Sequence, residues 1–221
     1  MPKGQPKKES FLVTLIILVF LENTEQPSIC YNRYVMNQSA IPVIQTTAVL
    51  DFISHSPAQT ERFGQRLGGL LQAGDLILLQ GNFGAGKTHL VRGIARGLNS
   101  PDLVTSPSFV LINEYRAEAA HQGVRLYHID LYRIEDPAEL AGLGLFELLE
   151  GNDICCIEWA ERATAWLPND HLMIQMQHLN ETKRVLRLVP NGERYRALVE
   201  QFKGTTFGQS GGRAERHDSS D

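Results

Sequence analysis

The chain has 221 residues, of which 43% are hydrophobic and 21% are charged. These fractions are those of an ordinary globular protein and exclude a wholly disordered chain or a membrane protein with several spans. The formal net charge is −4, from 21 basic and 25 acidic residues, so a large basic surface that grips nucleic acid by itself is not expected.

Residues 1–47 differ from the rest of the chain. Lysines precede an apolar run at residues 11–21. This is the order found in signal peptides, but the run is shorter than the ~20 residues of a membrane-spanning helix. Three interpretations stay open: a signal or anchor, a disordered extension, or a coding sequence that begins at Met36. We favour Met36, because the residues with recognisable chemistry follow Leu50 and suit the cytoplasm. A stable membrane association is expected only if residues 11–21 are a true anchor.

Alternating strands and helices are predicted next. Residues 49–55 indicate a strand, and Ser56 then caps a helix that has Pro57 at its first position. The continuous apolar run 76–80 indicates a strand buried on both faces. Residues 89–98 carry an apolar stripe at helical spacing, which predicts a second amphipathic helix.

The second half continues this alternation. Its predicted elements are strands at 109–112, 124–130 and 154–158, a short helix at 142–149, a hairpin of strands 172–177 and 184–189, and a last helix at 193–202. Residues 203–221 are polar and rich in Gly and Ser, which predicts a solvated tail. The pattern predicts one α/β layered domain over residues 48–202 with a largely parallel central sheet.

The cysteines do not indicate a disulfide framework. The chain has 3 of them, and Cys155 and Cys156 are adjacent. Their spacing matches neither paired disulfides nor a zinc site. We expect reduced thiols in the core of a cytoplasmic protein.

A phosphate-binding loop is the strongest signal. Residues 81–88, GNFGAGKT, match G-x-x-x-x-G-K-[ST] between a buried strand and an amphipathic helix. The glycines let successive backbone N–H groups point at phosphate oxygens, beside the positive end of the helix dipole. Lys87 would reach the β- and γ-phosphates, and Thr88 would offer its hydroxyl to Mg²⁺. The other residues predicted to contact nucleotide here are Gly81, Asn82, Phe83, Gly84, Ala85, Gly86 and His89.

Two carboxylates are predicted at the carboxyl edge of the sheet, where ligands bind in open α/β folds. Asp130 closes the strand 124–130, and Glu158 closes the strand 154–158. Each is a candidate Mg²⁺ ligand and a candidate acceptor for an attacking water, with an ordinary turn or ion pair as the alternative. His128 shares a strand face with Asp130, and a structural histidine is as good an interpretation as a catalytic one.

Three further residues flank these positions. Ser108 lies in the segment 106–109, SPSF, where a switch that senses the γ-phosphate would lie. Arg133 could neutralise phosphate charge, and Trp159 could stack on a base or pack against a partner. The alternatives are an ordinary turn for Ser108, a surface ion pair for Arg133 and simple packing for Trp159.

The order and spacing of these motifs resemble the TsaE (YjeE) family, P-loop ATPases of bacterial tRNA threonylcarbamoyladenosine (t6A) synthesis. The resemblance covers about residues 48–190 and is carried by residues 81–93, 106–109, 128–134, 142–149 and 157–161. The family usually has Asp-Leu at 82–83 and Thr at both 89 and 108, where this chain has Asn-Phe, His and Ser.

The resemblance implies a P-loop NTPase-like three-layer domain with a largely parallel central sheet, and it implies specific roles. Lys87 and Thr88 would bind phosphate and Mg²⁺, and Asp130 and Glu158 would be the essential acidic residues. Trp159 would be a functional aromatic, and Thr60 would lie near the nucleotide. ATP and Mg²⁺ are the implied cofactors. TsaD and TsaB are the implied partners, and tRNA would be met only through their complex.

Other functions stay open on the residues alone. A small-molecule kinase would usually have an Arg-rich lid, which is not visible in residues 135–150. A GTPase would have a guanine-reading Asn-Lys-x-Asp motif, which is absent. A nucleotide-sensing adaptor with negligible turnover would keep the loop and is separated from an ATPase only by turnover assays.

Overall fold

The computed structural model describes residues 49–118, 123–136 and 139–207. The predicted extension 1–47, the apolar run within it and residues 208–221 of the predicted tail lie outside the described residues. In chain order the elements are β1 (Leu50–Ser54), α1 (Pro57–Gly68), β2 (Leu76–Gln80), α2 (Lys87–Gly97), β3 (Ile112–Arg116), β4 (Arg125–Asp130), α3 (Glu139–Gly142), α4 (Leu145–Glu150), β5 (Ile154–Glu158), β6 (His171–His178), β7 (Arg184–Asn191) and α5 (Glu193–Phe207).

The described strands form one mixed sheet of seven in the order β1-β7-β6-β2-β5-β4-β3. The four central strands, β6, β2, β5 and β4, are parallel to one another. The pairs β1–β7, β7–β6 and β4–β3 are antiparallel. The prediction of a largely parallel sheet is therefore too broad. The parallel centre is what matters for the site, because it brings the carboxyl ends of β2, β4 and β5 to one edge.

Both faces of the sheet are covered by apolar side chains. Ile77 and Leu79 of β2 share a buried cluster with residues of α1, α2 and α5. Leu76 and Leu78 share the cluster on the opposite face with residues of α3, α4 and the turns near residue 160. Full burial of one such side chain stabilises the fold by about 1.5–3 kcal/mol. The continuous apolar sequence of β2 predicted this two-sided burial.

The start of α1 follows its sequence signals. Ser56 Oγ accepts a hydrogen bond from the N–H of Gln59 at 3.2 Å, and Pro57 opens the helix. The Gln59 side chain reaches back to accept from the N–H of His55 at 2.8 Å. This exchange resembles a capping box, with His55 rather than the cap residue as the backbone donor.

Glycines let α1 and α2 approach closely. A Cβ atom on Gly64 would lie 2.3 Å from the carbonyl oxygen of Leu90, and one on Gly93 would lie 2.1 Å from that of Glu61. Neither contact is possible without moving a backbone. The close approach fixes α2 against α1 and so fixes the loop that precedes α2.

Residues 109–112 do not form the predicted strand. Phe109 and Val110 lie in a turn in which the N–H groups of Val110 and Leu111 donate to the carbonyl of Pro107 at 2.9 and 2.7 Å. Leu111 has a φ of 65°, which ends the turn and starts β3 only at Ile112. Phe109 is 83% exposed, so its apolar character does not reflect burial in the sheet.

Two helix boundaries also differ from prediction. The single helix expected at 142–149 is two short helices, α3 and α4, separated at Gly144, which has a φ of 67°. The last helix continues to Phe207 and not 202, so the tail does not begin at Lys203. No helix of the described residues is long and apolar enough to cross a membrane.

Candidate functional site

The predicted phosphate loop joins β2 to α2. Gly84 and Gly86 have φ values of 78° and 99°, a region that glycine adopts without strain. A Cβ on Gly81 would lie 2.3 Å from the carbonyl oxygen of Met176, so that position also requires glycine. No side chain of the residues that the structure describes caps the start of α2. The N–H groups of its first turn are therefore available to an anion.

Lys87 is folded over its own loop. Its Nζ donates to the carbonyl oxygens of Gly81 at 2.7 Å and Asn82 at 3.3 Å. The same atom lies 4.0 Å from the centroid of the Trp159 ring, a cation–π contact. Burial lowers the pKa of Lys87, and the charges of Glu158, Glu161 and Asp130 oppose this effect.

Glu158 is held by two side chains. Thr88 Oγ1 donates to Glu158 Oε1 at 2.9 Å, and His128 Nε2 lies 2.8 Å from the same oxygen. Because a carboxylate only accepts, Nε2 of His128 must carry the proton. His128 Nδ1 is buried and finds no hydrogen-bond partner among the described residues. Since the proton of Thr88 points at Glu158, the lone pairs of its oxygen are left for a cation.

Asp130 lies beside Glu158 on the neighbouring strand, where the two residues are paired in the β4–β5 register. Asp130 Oδ2 accepts from Ser108 Oγ at 2.6 Å, and Oδ1 accepts from the N–H of Tyr132 at 2.9 Å. Ser106 Oγ lies 2.8 Å from Ser108 Oγ. The segment predicted as a switch is thus linked directly to a strand-end carboxylate.

One open cleft of about 370 Å³ brings most of the predicted residues together. Burial and register place both carboxylates at its floor, at the ends of β4 and β5. The predicted site residues that line it are Phe83, Gly84, Gly86, Lys87, Thr88, His89, Ser108, Asp130, Glu158 and Trp159. The cleft combines free N–H groups, a lysine, a hydroxyl and two carboxylates, which is the set that a metal-bound polyphosphate requires.

Two predicted residues lie outside this cleft. Thr60 is fully buried, with its Oγ1 2.8 Å from Ser54 Oγ and 3.3 Å from the carbonyl oxygen of Ser56, to which it donates. The Arg133 guanidinium lies over the Phe109 ring, with its central carbon 4.6 Å from the centroid. Neither contact supports the predicted role in binding nucleotide.

Three loop residues contribute backbone rather than a lining side chain. Ala85 is buried in the main core cluster, and its N–H donates to the carbonyl of Asn82 at 3.1 Å. Gly81 and Asn82 accept from Lys87. Gly81, Asn82 and Ala85 therefore shape the loop around the cleft.

One charged group beside the cleft was not predicted from the sequence. Arg92 lines it, and its Nη1 donates to Glu61 Oε1 at 3.1 Å, which also lies 2.9 Å from His89 Nδ1. Burial would raise the pKa of Glu61, but hydrogen bonds with His89 and Arg92 and the charge of Arg96 outweigh it, so the pKa is lowered. Arg92 is four residues after Thr88, and this spacing could have predicted a shared helix face.

Fold and cleft together define a class: a mixed α/β protein in which a glycine-rich loop between strand and helix faces two strand-end carboxylates. The sequence model of one family matches residues 54–186, and its description is threonylcarbamoyl adenosine biosynthesis protein TsaE. The chain therefore belongs to the TsaE family, as its motifs predicted.

Individual relatives agree with this assignment. The tRNA threonylcarbamoyladenosine biosynthesis protein TsaE of Bacillus subtilis (strain 168) is 35% identical over 148 residues, which cover 66% of this chain and 89% of the relative. The protein of the same name from Nostoc sp. is 39% identical over 135 residues, covering 59% and 80%. The crystal structure of Bacillus subtilis YdiB superposes with a TM-score of 0.61 at 29% identity, covering 71% of this chain and 95% of that one.

Proposed function

We propose that this chain binds ATP with Mg²⁺ in the cleft and hydrolyses it, and that it acts in this way on the TsaD–TsaB complex in the cytoplasm. The relatives are named for tRNA threonylcarbamoyladenosine biosynthesis, and the proposal places this chain in the same process. The observation that carries the chemistry is the hydrogen bond from Thr88 to Glu158. It joins the end of a P-loop NTPase-like phosphate loop to a carboxylate on the adjacent parallel strand.

The donor atoms at the site suit Mg²⁺. Thr88, Asp130 and Glu158 offer oxygen ligands, as a hard cation requires. Among the described residues no group of three His, Cys, Asp or Glu side chains is close enough to hold a metal, so nucleotide phosphates would complete the shell. When bound, Mg²⁺ would neutralise charge on the β- and γ-phosphates.

The side chains have separate roles in the proposed reaction. The loop N–H groups and Lys87 bind the phosphates, and Lys87 exchanges two carbonyl acceptors for charged oxygens, which are stronger acceptors. Thr88 and His128 both bond to Oε1 of Glu158, which leaves Oε2 to face a cation beside the Thr88 hydroxyl, so we assign Glu158 to the metal side. Asp130 is then the acceptor that positions the attacking water, and Ser108, which is bonded to it, reports the presence of the γ-phosphate.

Paired substitutions test these roles. Asp130→Gln or Asp130→Asn should lower kcat by on the order of a hundredfold or more with ATP affinity nearly unchanged. Glu158→Gln should also lower kcat and in addition raise the Mg²⁺ concentration that half-saturates the reaction. Lys87→Ala should weaken nucleotide binding. Phosphate release with and without purified TsaD–TsaB, and calorimetry with a non-hydrolysable analogue, measure these effects.

The matched control is Glu200→Gln, which alters an exposed carboxylate paired with Lys203. It should leave every parameter unchanged. Full activity in both the Asp130 and Glu158 variants would refute the catalytic assignment. In cells, deletion of the gene should remove t6A from tRNA, and Thr88→Ala or Glu158→Ala should fail to restore it.

A nucleotide-sensing adaptor is the second candidate. One observation favours it. Lys87 Nζ is bonded to its own loop and covered by the Trp159 ring, so the amine that would support hydrolysis is already engaged. Multiple-turnover assays separate the two functions. An adaptor would bind ATP yet release less than one phosphate per chain even with TsaD–TsaB present. Nothing in the cleft favours a small-molecule kinase, which would transfer phosphate to an acceptor other than water.

A further inference from the structure

Arg184, the first residue of β7, is a buried charge that no carboxylate of the described residues compensates. It is only 5% exposed. Within the same residues its Nε has no hydrogen-bond partner, and its Nη2 donates a long bond, 3.4 Å, to the carbonyl of Thr182. The ion pairs of the described residues do not include it. A guanidinium stays charged in proteins, and burying an unpaired charge is costly.

The guanidinium lies against the phosphate loop. A Cβ on Gly86 would be 2.8 Å from Arg184 Nη1, and one on Gly84 would be 3.7 Å from His178 Nε2. His178 ends β6 and Arg184 begins β7. In the sheet, β6 and β5 flank β2 on opposite sides. The loop is thus flanked by acidic groups on the β5 side and by Arg184 on the β6 side.

The two cations near the loop differ in how they are balanced. Lys87 interacts with the charges of Glu158, Glu161 and Asp130, which offset part of the cost of its burial. None of the ion pairs found within the described part of the chain gives Arg184 such a carboxylate. A bound anion would balance its charge, and the loop on which the guanidinium packs is suited to bind one.

We infer that Arg184 is an electrostatic partner of the nucleotide polyphosphate: its charge stabilises phosphates bound by the loop amides, and those phosphates compensate its burial. The inference rests on the proposed nucleotide binding. Because the interior screens charge weakly, the attraction acts through the thin backbone of the loop without direct contact. It predicts an unusual combination, in which removing the charge stabilises the free protein but weakens binding of the ligand.

Arg184→Met in the full chain tests this combination. Methionine keeps a long apolar stem beside Met176, whose Cε is also close to Gly86. The variant should bind Mg·ADP about tenfold or more weakly by calorimetry, while the melting temperature without nucleotide rises by a few degrees. Arg184→Lys keeps the charge and should hold the loss to a few-fold.

Arg187→Met is the matched control. It removes the same charge from the same strand, but Arg187 is paired with Asp51. Affinity for Mg·ADP should stay within about twofold, and stability should fall slightly.

Three outcomes would count against the proposal. Wild-type affinity in Arg184→Met would refute it. A lower melting temperature or failure to fold in that variant would show that Arg184 is a structural support and not an uncompensated charge. If the wild-type protein bound neither Mg·ADP nor Mg·ATP, the proposed function itself would be refuted. Measuring the wild type before any variant therefore distinguishes this failure from a failure of the Arg184 proposal.

Discussion

At the scale of single residues, the site depends on one carboxylate oxygen. Glu158 Oε1 receives both the Thr88 hydroxyl and the His128 imidazole, and both His128 and Glu158 are almost completely buried. Two donors orient the carboxylate so that it cannot rotate without losing a bond. His128 is not among the residues that line the cleft, so we expect it to act through Glu158 as a positioning residue.

Replacing His128 should separate the effect of its Nε2 from that of its Nδ1. Gln can place an amide donor near the Nε2 position, whereas Leu removes the donor and Asn offers one only near the Nδ1 position. His128→Leu and His128→Asn should lower kcat about tenfold with little change in nucleotide affinity. Loss of the donor to a buried carboxylate should also lower the free energy of unfolding by about 1–3 kcal/mol. His128→Gln should recover most of both, as measured by phosphate release and urea unfolding.

Equal losses in all three His128 variants would mean that ring volume, not the hydrogen bond to Glu158, matters at this position.

The residues of the site were predicted from sequence to the extent that they end apolar strands or belong to the loop. Asp130 and Glu158 were found because a charge that closes a buried run has few structural explanations. Arg184 was missed because it begins a strand of alternating character in an antiparallel hairpin, and no local pattern indicates that the hairpin reaches the loop. Thr60 was proposed by resemblance, but its hydroxyl is used by Ser54 and Ser56.

At the scale of elements, glycine spacing sets the position of the loop helix. Gly64 and Gly68 of α1 face Gly93 and Gly97 of α2, where a Cβ on any of the four would come within 2.1–2.3 Å of a carbonyl oxygen. Glycine inside a helix normally lowers its stability. Here the close packing that it allows offsets that cost.

Gly93→Ala should therefore be strongly destabilising although alanine is the better helix former. The new Cβ would meet the Glu61 carbonyl at 2.1 Å, so α1 and α2 must separate, and we expect a loss of about 2–4 kcal/mol. Gly204→Ala is the control, because nothing lies within 4 Å of its Cβ position in α5. It should be neutral or stabilising by up to about 1 kcal/mol. Urea unfolding of both variants measures the difference, and similar values for the two would show that α1 and α2 can shift apart freely.

Element boundaries were predicted well where one face of the element is buried. They were predicted poorly where no face is buried. β3 is an edge strand that pairs only with β4 among the described strands, and three of the five residues of its sequence, INEYR, are polar or charged. The more apolar residues just before it, Phe109 and Val110, therefore favour a strand prediction at 109–112. Phe109 and Val110 are exposed because they lie in the turn between Pro107 and Leu111. The spacing of apolar residues in the sequence does not reveal this turn.

At the scale of the whole molecule, β5 connects the site to both cores. Cys155 belongs to the apolar cluster beneath the short helices α3 and α4, and Cys156 belongs to the cluster beneath α1, α2 and α5. Burial raises the pKa of the Cys155 thiol to about 12 and raises that of Cys156 well above 9.0. Neither thiol is reactive until the layer that covers it opens.

Thiol labelling should therefore report the opening of each layer separately. At about pH 8 an alkylating reagent should modify Cys155 faster than Cys156, because α3 and α4 span only 4 and 6 residues and can open locally. Labelling of Cys156 should require global unfolding and should speed up with urea in proportion to the unfolded fraction. Raising the pH toward 9 should not create a direct route to either native thiol, since both pKa values lie higher. Peptide mass spectrometry resolves the two sites, and fully unfolded protein gives the control rate. Modification of Cys156 at a rate independent of urea would contradict a cooperative core behind the phosphate loop.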